Sequence, residues 1–262
     1  MGKPIRSRQG LLAAAVLLAV VSVPAVLNAQ IVAPLVTDRP DFTESALTVP
    51  RGDVQLESGY TLTRADDADE HALGEILLRI GVAGRLEARI GLGSHAWSEA
   101  PGEDPSGFED PALGLKLVLS EETETGGLAA AVLAGTSVPV GDEDVGEDEW
   151  QPEITLALSR GIADGLSIGG NLGYAYASEG GDRFDQGSAS LALGMELSER
   201  WGSYVEAFTI FPSDASGEDA AVVNGGFTFL VHPLLQLDAR AGAGLTEAAP
   251  DFFLGVGIAR RW

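Results

Sequence analysis

The chain has 262 residues, 39 of them acidic against 16 basic, a formal net charge of −23 and no cysteine. That acidity excludes nucleic acid as a partner and docking on anionic lipid through a basic patch. The missing thiols exclude a disulfide framework and a thiol-linked lipid anchor.

Residues 1–29 read as a secretory signal peptide. Lys3, Arg6 and Arg8 precede the apolar run 11–23, and "VLNAQ" offers a cleavage site after Ala29. The run is shorter than the roughly 20 apolar residues of a spanning helix, so it directs export rather than crossing a bilayer. Residues 30–52 form an N-terminal periplasmic or lumen segment, in which Pro40 and Pro50 keep the backbone extended. Its stretch "TDRPDFTES" carries Asp38, Arg39, Asp41, Thr43, Glu44 and Ser45. Two readings stand open for these six: they narrow the pore at its periplasmic mouth or inside the lumen, or they form a structural clamp or assembly element whose charges pair with the wall.

From Asp53 to Trp262 the hydropathy alternates with period two. "VQLESGYTL" sets Val54, Leu56, Tyr60 and Leu62 against Gln55, Glu57, Gly59 and Thr61. Residues 72–82 set Ile76, Leu78 and Ile80 against Glu75, Leu77 and Arg79. "RLEARIGLG" sets Leu86, Ala88, Ile90 and Leu92 against Arg85, Glu87, Arg89 and Gly91, and "LGLKLVL" sets Leu113, Leu115, Leu117 and Leu119 against Gly114, Lys116 and Val118. Further strands are expected over 128–138, 150–159, 166–176, 187–197, 201–211, 222–231, 234–245 and 252–262, about twelve in all, with no amphipathic helical segment among them.

The connectors sort into two sets. "ADDADEH", "SHAWSEAPGEDPSGFED", "PVGDEDVGEDEW", "ASEGGDRFDQ", "PSDASGED" and "TEAAP" are read as longer, mostly acidic loops. "AG", "RGIADG", "SER" and "HP" are short, with "SEETETGG" the exception. This alternation predicts an all-β fold, an up-and-down antiparallel transmembrane β-barrel, rather than a Greek-key sandwich.

Charge placement supports a wall facing lipid. Glu57, Glu75, Arg79, Arg85, Glu87, Arg89, Lys116, Glu153, Glu196, Asp238 and Arg240 all fall on the parity opposite the aliphatic residues. An Arg or Lys facing lipid at the bilayer midplane costs roughly 2–4 kcal/mol, which enforces such segregation. Tyr60, Trp97, Trp150, Tyr174, Tyr176, Trp201 and Phe211 stand near strand ends, where interfacial girdles form. The closing strand runs from Phe252 to a terminal Trp262, the form of a C-terminal barrel-assembly signal. Arg260 shares the lipid-facing parity and is expected to snorkel to headgroups.

Nine of these eleven inward charges, all but Glu153 and Glu196, crowd one wall. The opposite wall offers Glu153, Glu196 and Glu206 without an inward base. They form either a salt-bridge network in a filled interior or a lining that selects a permeant. Inward Leu77, Phe253, Tyr204 and Phe208 add apolar surface beside them. The acidic connectors, with Asp66, Asp67, Asp69, Glu70, Glu103, Asp104, Asp142, Glu143, Asp144, Glu147, Asp148 and Glu149, either hold divalent cations or form a solvated surface; none has EF-hand spacing. A membrane hydrolase would need a Ser–His pair with a third group orienting the His. Among His71, His95 and His232 only Ser94–His95 are neighbours, and neighbours on a strand point to opposite faces.

The stretches "LVTDRPDFTESALTVPRGDVQLESGYTLTR", "RLEARIGLG", "GFEDPALGLKL", "TSVPVG", "QLDARAGAGLT" and "PDFFLGVGIARRW" resemble the transporter-like outer-membrane barrel family labelled Putative MetA-pathway of phenol degradation, from Asp38 to Trp262. The resemblance implies an outer-membrane channel for passive uptake of small hydrophobic or aromatic compounds, and it supplies no catalytic residues. The alternative is a plugged structural or interaction barrel with acidic extracellular loops. Expected partners are outer-membrane lipid, the barrel assembly machinery and a small-molecule permeant. No cofactor or metal is expected.

Overall fold

The computed structural model describes residues 35–65, 68–101, 105–123, 126–212, 214 and 216–262. The signal peptide, residues 30–34, and the loop acids Asp66, Asp67, Glu103 and Asp104 lie outside the described residues. The strands, in chain order, are β1 (Val54–Ala65), β2 (Ala68–Ala83), β3 (Leu86–Gly91), β4 (His95–Glu99), β5 (Ser106–Phe108), β6 (Ala112–Ser120) and β7 (Ala129–Ser137). They continue as β8 (Pro152–Ala163), β9 (Leu166–Glu179), β10 (Asp182–Glu196), β11 (Trp201–Phe211), β12 (Ala220–His232), β13 (Leu235–Gly244) and β14 (Phe252–Arg261).

These fourteen segments make twelve staves. β3 and β4 both pair with β2, one after the other, and are one stave broken at residues 92–94. β5 pairs with β4 and β6 with β3, so they form the next stave, broken at residues 109–111. Every pairing is antiparallel, and β1 pairs with both β2 and β14, which closes the sheet into a barrel; among the described strands the three-residue β5 pairs on one side alone. The main chain of Val54 and Trp262 exchange two hydrogen bonds, N–H to O at 3.1 and 2.9 Å, which lock the seam at the end where the short turns lie.

The alternation is an alternation of environments. On β6, Leu113, Leu115, Leu117 and Leu119 stand out from the wall, each about half exposed, whereas the intervening Lys116 is fully buried and Val118 nearly so. A small apolar cluster inside the wall brings together Ala46, Val118, Ala129, Ala131, Leu133 and Ala157. Ala46 belongs to the N-terminal segment, so that segment lies inside the barrel.

Two connectors read as acidic loops are mostly strand. β1 and β2 run on to Ala65 and Ala68, and β9 and β10 meet at a two-residue turn, Gly180–Gly181, with φ of 57° and 87°. Such positive φ at both positions matches the twist of a tight hairpin. The polar strand ends are held by cross-strand pairs, Arg64 with Asp69 and the Tyr174 hydroxyl donating to Asp185 at 2.6 Å, in place of apolar periodicity. A bulge interrupts β2 as well: Glu57 pairs with Leu77 but Gly59 with Gly74, and Glu75 sits at φ 42°. Leu73, opposite Tyr60, and Leu77, opposite Glu57, therefore lie on different faces despite equal parity.

The connectors at the end opposite the Val54–Trp262 seam are expected to face the cell exterior. A tag inserted at Gly217, around which no atom crowds, should be labelled on intact cells, and one at Gly165 should not. Labelling only at Gly165 would invert this topology.

Candidate functional site

The six residues of "TDRPDFTES" all enter the lumen, and their partners come from nearly every side of it. Asp38 is the hub. Its backbone N–H donates to both Glu57 carboxylate oxygens at 3.2 and 3.1 Å. Its carboxylate lies 3.0 Å from Lys116 Nζ and 3.0 Å from Arg79, and accepts from Arg89 Nη1 at 2.5 Å. The Ser45 N–H and hydroxyl donate back to it at 3.1 and 2.8 Å. Burial opposes ionisation of Asp38, but the three cations outweigh it and hold its carboxyl well below the usual range.

Arg79 is buried completely and joins Glu57 and Glu87, both at 2.9 Å. Glu87 in turn accepts the Val49 N–H at 2.8 Å. Arg39 reaches Glu75 at 2.6 Å and Asp238 at 3.5 Å. Its guanidinium lies over Gly59 and Gly257, where a Cβ on either strand would collide with it. Glu44 pairs with Arg89 at 3.0 Å and with Lys116 at 3.5 Å.

Across the lumen Glu206, buried on β11, takes up the rest of the segment. It accepts the Phe42 N–H at 2.9 Å, the Thr43 N–H at 2.6 Å and Asn224 Nδ2 at 2.7 Å. Thr43 also bonds Ser190 at 2.7 Å, and the Phe42 ring stacks on Phe208 with centroids 4.2 Å apart and planes 9° apart. Asp41, between these anchors, has its carboxyl held well above the usual range by burial and then by the Glu206 charge. Arg240 donates to the Pro40 carbonyl and to Thr61 Oγ1, both at 3.0 Å, and lies 5.3 Å from the Phe253 ring centroid.

Beside this segment a cavity of about 480 Å³ remains in the lumen. Asp41, Phe42 and Glu44 line one side of it; Leu77, Arg89, Glu153, Gln186, Ile210 and Arg240 line the wall. It combines apolar and charged surface.

Two expected lumen charges stand elsewhere. Arg85 lies in the turn after β2 and pairs with Glu121 at 3.3 Å, both side chains more than half exposed. Glu196 is the last residue of β10, exposed, its N–H on the Gly165 carbonyl at 2.8 Å. For both, the period-two count ran past the part of the strand that encloses the lumen. Gln55, Asn224, Ser190 and Phe42 serve the site without being singled out; inward parity marks the first three, while Phe42 sits where no period operates. Of the expected assembly residues, Phe252 begins β14 opposite Arg64, and Trp262 follows it.

The Ser94–His95 pair is not organised for nucleophilic catalysis. The His95 ring packs edge-on against Phe108 at 5.1 Å and lies beside Trp97, while the Ser94 N–H binds Glu109. The carboxylates of the acidic connectors are partly spent on the loops themselves. Asp110 accepts N–H groups of Val140, Gly141 and Glu147, and Asp142 accepts that of Phe108.

A closed barrel of twelve antiparallel staves, apolar outside and ion-paired within, has the fold of an outer-membrane channel. More particularly, the chain belongs to the family described as Putative MetA-pathway of phenol degradation, whose model matches residues 37–262. Among solved structures it is similar to an outer-membrane channel from Pseudomonas putida F1, at 14% identity and TM-score 0.67, over 82% of this chain and 97% of that one. It is also similar to the NanC porin, at 8% identity and TM-score 0.55, over 79% of this chain and 98% of that one. The KdgM porin matches at 10% identity and TM-score 0.52, over 79% and 98%. Among curated proteins none matches the sequence.

Proposed function

We propose that this barrel is a channel for passive uptake of small hydrophobic or aromatic compounds, and that it transports rather than catalyses. The observation that carries the reading is the cavity of about 480 Å³, in which the Phe42 ring, Leu77 and Ile210 offer apolar surface beside Arg89 and Arg240. Its volume lies in the range of small-ligand sites, and mixed apolar and charged linings orient amphipathic solutes. The family description names a phenol degradation pathway and points to the same solutes. In this reading residues 1–29 direct export, residues 30–52 limit the opening, and residues 53–262 form the channel. Phe252 and Trp262 engage the assembly machinery, and the aliphatic face engages outer-membrane lipid.

In proteoliposomes the channel should admit zwitterionic tryptophan about tenfold faster than a sugar of similar size, the factor that one good aromatic contact supplies. Phe42→Ala should remove most of that preference. Equal flux of the two solutes would overturn the selectivity. Flux of neither would favour the second reading, a structural barrel plugged by the ion-paired segment around Asp38.

A further inference from the structure

The charges inside the lumen do not cancel. Each basic side chain there already has a carboxylate: Arg39 has Glu75, Arg79 has Glu57 and Glu87, and Arg89 and Lys116 share Asp38 and Glu44. Arg240 lies 3.6 Å from Glu75. The surplus is acidic. Among the described residues no ion pair reaches Asp41, Glu153 or Glu206. Glu206 is satisfied by N–H donors, but Asp41 and Glu153 both line the cavity.

A second observation is independent of formal charge. Asn224, 6% exposed, spends its amide N–H on Glu206 and leaves its carbonyl oxygen without a donor. Asn224 thus adds an unmet acceptor beside the Glu206 carboxylate, and Asp238 Oδ2 is a second one in the lumen. Unpaired carboxylates and orphaned acceptors in a confined space are costly unless a proton or a counter-charge meets them. A mobile cation or a solute ammonium supplies what the wall lacks, as acidic linings do in cation pathways.

We propose that the lumen discriminates by charge: it passes small aromatic solutes that are cationic or neutral and holds back aromatic anions, with Asp41 and Glu153 as the residues that decide. This rests on the channel reading above and assigns the charge class of its permeants. The test uses the full mature barrel in two formats. In planar bilayers under a potassium chloride gradient, the reversal potential should take the sign set by potassium, and the Asp41→Asn/Glu153→Gln double variant should bring it toward zero. In liposomes, phenyltrimethylammonium should enter about tenfold faster than benzenesulfonate, a difference of ~1.4 kcal/mol; both carry permanent charge and cross lipid poorly. Heat-modifiable migration of the variant checks that it folds, and Glu153→Gln alone, at an exposed position on the cavity, gives a second variant with the same expected direction. A chloride-signed reversal potential, or equal flux of the two ions, overturns the charge assignment and leaves the channel reading standing. An absence of conductance and of all flux overturns the channel reading, and this inference with it.

Discussion

Changing Leu254 and Val256 together to arginine is expected to abolish insertion, leaving an unfolded, protease-sensitive chain without the heat-modifiable band of a folded barrel. Both side chains face outward from β14, 49% and 55% exposed, while Phe253 between its neighbours is 8% exposed. Arg near the bilayer midplane costs roughly 2–4 kcal/mol per site on the lipid face, so two cost about 4–8 kcal/mol. Toward the lower end of the usual stability of about 5–15 kcal/mol, that loss leaves nothing. The position of the strand multiplies the consequence. β14 pairs Leu254 with Leu62 of β1 and with Ala241 of β13, so a β14 that stays out of the membrane leaves two edges unpaired. Deleting Trp262 is expected to act in the same direction more mildly, by removing the two main-chain bonds with Val54. Normal heat-modifiable migration of the double variant would remove β14 from the lipid-facing wall.

The same lipid contact explains what the sequence could and could not reveal. Where hydrocarbon covers one face, as along Leu113, Leu115, Leu117 and Leu119, a single charge on that face is penalised and the period is clean. Beyond the membrane that pressure ends, and strands continue on polar pairs such as Tyr174 with Asp185, which read as loop. The bulge at Gly74–Glu75 is a local event that reverses the face of a strand, and no periodicity carries across it. In the lumen, parity could select Glu57, Arg79, Glu87 and Lys116 but not their partners. Those come from an extended segment without period, and Thr43 lies 163 residues from Glu206 in the chain. Much of that recognition is made by backbone N–H groups of Asp38, Phe42, Thr43 and Val49, which any side-chain reading passes over.

Removing residues 37–48 is expected to raise the conductance of the barrel several-fold and to lower its thermal stability at the same time. Twelve staves enclose more space than the eight-stranded barrels that side chains alone can fill, and here the segment occupies that space. Its loss would leave Glu206 without the Phe42 and Thr43 N–H donors, and Lys116 and Arg89 without Asp38 and Glu44. Breaking a buried pair by removing one partner costs about 3–5 kcal/mol when the remaining charge stays dry. In an opened lumen water reaches the exposed charges and recovers part of that, so the barrel should still fold but melt earlier. The pairs of Arg79 with Glu57 and Glu87 lie within the wall and survive the deletion, which supports the same outcome. Glu206→Ala offers a finer cut: it removes the acceptor of the Phe42 and Thr43 N–H groups while leaving the Asp38 hub, the Phe208 stack and the Ser190 bond in place, and its conductance should fall between wild type and the deletion. Single-channel recording with all three proteins reads the series directly. A deletion that folds yet conducts no better than wild type would show that something other than this segment limits the opening.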